Sequence, residues 1–85
     1  MSIYDYVDRA MVMTAAEVRK LPPGTEIVRH HIDPGGGYER HKLRVVNALG
    51  WCGSGDIKLL TGQLGRSTQM LPIADDSDCL CYTMR

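Results

Sequence analysis

Apolar and polar positions alternate most regularly over residues 38–47. There His41, Leu43 and Val45 fall on one parity, and Tyr38, Arg40, Lys42 and Arg44 on the other. Successive side chains of a strand point to opposite faces, so the pattern predicts a strand with an apolar side and a basic side. Just before it, Thr25 to Ile32 is rich in β-branched residues and predicts a strand over 25–32. Between the two, Asp33-Pro34-Gly35-Gly36-Gly37 suits neither helix nor strand and predicts a flexible hairpin tip. Ile57 to Thr61, Thr68 to Ile73 and Cys79 to Met84 read as three more strands. A glycine-rich loop at 49–56, a turn at 62–67 and an acidic turn at 74–78 separate them.

The N-terminal third has a different period. Ile3, Tyr6, Val7, Ala10 and Met11 recur at helical spacing, and Ser2 with Asp5 resembles a capping box, which predicts a short helix over 3–12. Thr14 with Glu17 is a better capping box and predicts a second helix from Ala15 to Leu21. Pro22 and Pro23 end it, since proline lacks an amide donor and disfavours helical geometry in the residue before it.

Short helices, a Pro-Gly turn and five short strands joined by glycine turns resemble the small barrels of the SH3-like type, over roughly residues 14–84. The resemblance is architectural: it implies a five-stranded antiparallel barrel or curled sheet, of α+β or mostly β class. The glycine and basic spacing of the ribosomal-type nucleic-acid-binding members is absent, so no function is carried over with it.

Eighty-five residues make one small domain, with a helical segment at 1–21 and a barrel or meander at 22–85. With no Phe and one Trp, the core must rest on Ile, Leu, Val and Met, and Met11, Met13, Met70 and Met84 are read as core fillers. Ten basic and ten acidic side chains cancel, which removes any global pull toward nucleic acid or anionic membrane. The distribution is uneven, because Arg29, Arg40, Lys42, Arg44 and all three histidines lie in 29–44 against only Asp33 and Glu39, while Asp75, Asp76 and Asp78 form an acidic turn read as solvated. Three cysteines do not make a secreted disulfide framework, and the start of the chain has no signal-peptide pattern, so a reduced, cytoplasmic protein is expected.

Catalytic and metal chemistry find little support. His30 and His31 are adjacent on a strand and point to opposite faces, so they cannot converge on one zinc ion. Cys79 and Cys81 share a face, but their spacing is tighter than a metal knuckle. Trp51-Cys52-Gly53-Ser54 lacks the second cysteine and following aromatic of a papain-like nucleophile loop, and Ser54 does not fit a nucleophile elbow. Neither glycine run completes a phosphate-binding fingerprint. The chain is expected to be no enzyme and to have no catalytic residue, cofactor or metal.

What remains is a binding surface. Tyr38, Arg40, Lys42 and Arg44 form a basic row with an aromatic at one end. Gly36 lies in the adjoining tip, and Trp51 stands in a glycine-flanked loop, where it serves either as a binding anchor or as an aromatic plug for one end of the barrel. The row can steer the approach of an acidic protein surface, or grip phosphates while Tyr38 stacks on a base. The expectation is therefore a small protein-interaction module, an accessory or inhibitor protein of phage or mobile-element type that binds a host protein. A nucleic-acid-binding small β-barrel using the same strand face is the alternative.

Overall fold

The computed structural model describes residues 2–49 and 56–85. Six antiparallel strands form one sheet in the order β1-β6-β2-β3-β4-β5: β1 (Val12–Met13), β2 (Glu26–Ile32), β3 (Tyr38–Leu49), β4 (Asp56–Leu64), β5 (Ser67–Pro72) and β6 (Leu80–Met84). One short helix, α1 (Ala15–Arg19), precedes β2. The mostly β class is as expected, and the strands read from sequence lie within a few residues of their predicted places. The five-stranded barrel is not what forms. Among the described residues the outer strands β1 and β5 do not pair with each other, and the sheet stays open. The strand that sequence pattern missed, β1, has only two residues, Val12 and Met13, opposite Thr83 and Tyr82.

The sheet is buried by what lies on its two faces. On one face, Ile27, Leu43, Val45, Leu60 and Tyr82 pack with Ile73 and with Ala15 and Val18 of α1. On the opposite face, Ile32 and Cys81 pack against Ile3 and Val7 from the N-terminal segment. β1 carries the chain around the sheet edge, with Val12 packed against the second cluster and Met13 against the first. A helix already covers the face that a barrel would have to curl around, so closure is not needed to bury it.

The predicted helix over 3–12 is instead two 3₁₀ turns, Ile3–Asp5 and Arg9–Met11. Ser2 and Asp5 do form the expected capping box. Asp8 then interrupts, because its backbone is extended and its carboxylate accepts the Ala10 N–H at 2.9 Å, a local bond that competes with helix. The Thr14–Glu17 box opens α1, which stops at Arg19 rather than Leu21, short of the two prolines.

The acidic turn is exposed, as expected, and it also ties the chain together. Asp76 accepts the Ala15 N–H at 2.9 Å at the start of α1, Asp75 pairs with Arg19 at 3.0 Å, and the Asp78 carbonyl accepts the Ile3 N–H at 2.6 Å. These bonds anchor both N-terminal covers to the strand-five–strand-six connection. Met11, Met70 and Met84, expected as core fillers, are exposed, and the core is built from shorter aliphatic residues and Tyr82. No helix among the described residues is long and apolar enough to cross a membrane.

Candidate functional site

The β2–β3 register pairs Glu26 with Arg44, Val28 with Lys42, His30 with Arg40 and Ile32 with Tyr38. Paired residues share a face, so the four-residue row on β3 lies on the face that Ile3 and Val7 cover. The cover is partial. It lies over Ile32, Cys81, Val12 and Tyr38, and among the described residues it does not extend over the β3–β4–β5 portion of that face. There Arg44 stands opposite Thr61, which stands opposite Met70, and Val46 stands opposite Leu59, which stands opposite Pro72.

Arg40, Lys42 and Arg44 are all exposed, and among the described residues none of the three has a carboxylate at ion-pair distance. Lys42 and Arg44 line a shallow groove together with Thr61, Gln63 and Glu26. Glu26, the one acid in its wall, is engaged by Arg85, which lines the same groove. The net local charge is positive, and the uncharged polar side chains of the groove are the hydroxyls of Thr61 and Thr68 and the Gln63 amide.

The aromatic end of the row is differently disposed. The Tyr38 ring is stacked on Tyr6, with centroids 4.6 Å apart and planes 3° from parallel. Its hydroxyl shares a 2.6 Å hydrogen bond with His30 Nδ1, and His30 Nε2 shares one of 2.9 Å with Thr83 Oγ1. His30 is 6% exposed. Burial holds its imidazole below its ordinary pKa, and the nearby Arg40 guanidinium adds to the shift. Tyr38 and His30 thus belong to a satisfied polar network inside the N-terminal cover, and the stacking surface expected of Tyr38 is occupied from within the chain.

Gly36 is also separated from the row. It takes φ +90°, a conformation glycine adopts readily, at the hairpin end between β2 and β3. It lines a different hollow with His31, Ile32, Asp33, Pro34 and Cys79. The tip expected to be flexible is pinned by Asp33, whose carboxylate accepts the Gly37 N–H at 3.0 Å and whose carbonyl accepts the Gly36 N–H at 2.9 Å. Trp51, Cys52 and the rest of the loop at 50–55 lie outside the described residues. Of the expected contact residues, the structure therefore brings together Arg40, Lys42 and Arg44.

His30 and His31 lie on opposite faces, as strand alternation requires, since their partners on β6 are Cys81 and Leu80. Cys81 is buried, and burial raises its thiol pKa; Cys79 is exposed. Glu26, Thr61, Gln63 and Arg85 are not singled out by the sequence pattern, because strand pairing and, for Arg85, the ion pair with Glu26 bring them to the row from distant parts of the chain. No family model, no curated protein and no solved structure matches this chain.

Proposed function

We propose that this protein is a small non-enzymatic interaction module whose binding face is the uncovered half of the sheet, centred on Arg40, Lys42 and Arg44. The partner that fits is a protein presenting an acidic surface, and the module would act as an accessory or inhibitor of it. The observation that carries this reading is the partial cover. The N-terminal segment shields one half of a sheet face, while the other half bears three cations without acidic partners among the described residues. An uncovered cationic face of this kind steers an acidic partner and fixes its register. The nucleic-acid alternative draws less support, because the aromatic that would stack a base is already covered by Tyr6.

The test is affinity capture from host lysate with and without nuclease, using the native chain and the combined variant Arg40→Glu, Lys42→Glu, Arg44→Glu. A stoichiometric protein that survives nuclease and is lost with the charge-reversed variant is the expected result. Capture that disappears with nuclease, or that is indifferent to charge reversal, would overturn it.

A further inference from the structure

The two sheet edges are treated very differently. β1 is two residues long and continues directly into the Thr14 cap of α1, so it offers almost no ladder to pair with. β5 is six residues long, carries no charge, and has five of its six residues exposed. Its inner edge pairs with β4 through all six residues, and among the described residues nothing pairs with its outer edge. Long uncharged edge strands are templates for another strand, and natural sheets usually protect them with lysine, proline or a bulge.

The hydrogen-bond direction along β5 follows from its turn. Leu64 and Ser67 flank a two-residue hairpin, so they form the hydrogen-bonded kind of pair, and the alternation of an antiparallel ladder then sets the rest. Ser67, Gln69 and Leu71 turn their backbone groups toward β4; Thr68 and Met70 turn theirs outward. The Thr61 hydroxyl donates to the Gln69 carbonyl at 3.2 Å, as expected if that carbonyl faces β4. Pro72 occupies an outward position, where its missing N–H removes no bond to β4.

We infer that β5 pairs with β5 of a second copy of this chain, antiparallel, with Gln69 opposite its own equivalent on the two-fold axis. In that register Thr68 faces Met70 of the other copy, and the N–H and C=O groups of both residues on each strand find partners. With Met70 on the axis instead, the Thr68 carbonyl would face a proline that has no donor. A strand with no charge meets its own copy without like-charge repulsion, which a lysine- or glutamate-bearing edge would impose. The interface is isologous, so it closes at a dimer and joins the two sheets into one. An edge of this length buries little area, and the dimer is correspondingly weak and concentration-dependent.

Sedimentation across micromolar to millimolar protein is the test, on the native chain, Gln69→Lys, Gln69→Glu and an equimolar mixture of the two variants. Gln69 is exposed, so both substitutions leave the monomer fold intact, which circular dichroism verifies. The native chain dimerises with rising concentration, each variant alone associates about fivefold more weakly, and the mixture recovers native affinity or better. In the native dimer, amide exchange at Thr68 and Met70 slows with concentration while that of Gln69 stays constant. A native chain monomeric at 1 mM (the upper limit on the order of such weak pairings), or a dimer indifferent to both variants, overturns the proposal. Gln69 lies opposite Gly62, on the other sheet face from Arg40, Lys42 and Arg44, so failure here leaves the basic-face reading to its own test.

Discussion

The Tyr6 ring lies flat on the Tyr38 ring, 4.6 Å between centroids, and this contact joins the N-terminal segment to the end of the basic row. With Ile3 and Val7 packed on Ile32 and Cys81, it fixes where the cover of that sheet face stops. Offset aromatic pairs contribute about 0.5–1.5 kcal/mol beyond the area they bury. Tyr6→Ala is expected to lower unfolding free energy by about 1–2 kcal/mol and to leave Tyr38 open to solvent. Chemical denaturation gives the first quantity, and solvent quenching of tyrosine emission gives the second.

Beneath that stack, His30 makes stability depend on pH. Its folded pKa is lower than its unfolded value because burial, and then Arg40, disfavour the charged ring. Between the two values the unfolded chain binds the extra proton, so stability is full above about pH 6.5 and falls as the pH drops below it. Protonation would also turn both ring nitrogens into donors, which both hydroxyl partners must then accept. His30→Gln keeps a donor and an acceptor without titrating. It is expected to be less stable by about 1–3 kcal/mol at neutral pH and to lose much of the slope between about pH 5 and pH 7. Denaturant midpoints across that range check both.

The local signals in this sequence were strong and the long-range ones silent. Ser2–Asp5 and Thr14–Glu17 capping, the alternation of 38–47 and the Asp33–Gly37 hairpin depend on neighbours within a few residues, and all four appear in the structure. Whether the sheet closes depends instead on what covers its faces, and nothing in the spacing of Ala15 and Val18 says that they would lie on Ile27 and Leu60. The basic row was legible because strand parity alone aligns Arg40, Lys42 and Arg44. That Tyr38 is withdrawn from the row was not, since its partners Tyr6 and His30 reach it through tertiary packing.

Asp75 and Asp76 look equivalent in sequence and should differ in energy. The Asp75 carboxylate is 92% exposed, and its pair with Arg19 is a surface ion pair worth about 0–1 kcal/mol. Asp76 instead accepts a part-buried amide, the Ala15 N–H in the first turn of α1, where loss of a capping side chain costs about 0.5–2 kcal/mol. Asp76→Ala is expected to lower stability by about 1 kcal/mol, and Asp75→Ala by less than half of that. Adding salt should narrow the Asp75 effect and leave most of the Asp76 effect, as thermal melts at two ionic strengths will show.

Gly62 is the position where a single methyl should do most harm. It lies inside β4, opposite Gln69, and a Cβ built there would stand 2.5 Å from the Leu43 side chain and 2.6 Å from the Lys42 carbonyl oxygen. The leucine methyl can rotate away; the carbonyl belongs to β3 and cannot move without shifting the strand. Glycine inside a strand often marks such a close backbone approach. Gly62→Ala is therefore expected to destabilise by about 2 kcal/mol through overpacking, against the usual gain from restricting an unfolded glycine. Because the strain falls on Lys42, the same variant should disturb the basic row. Amide chemical shifts at Lys42 and Leu43 should move most, while those of Ile3 and Val7 across the sheet stay near native. Uniform shifts, or a variant as stable as the native chain, would show that β3 and β4 are not held together at this point as closely as the structure places them.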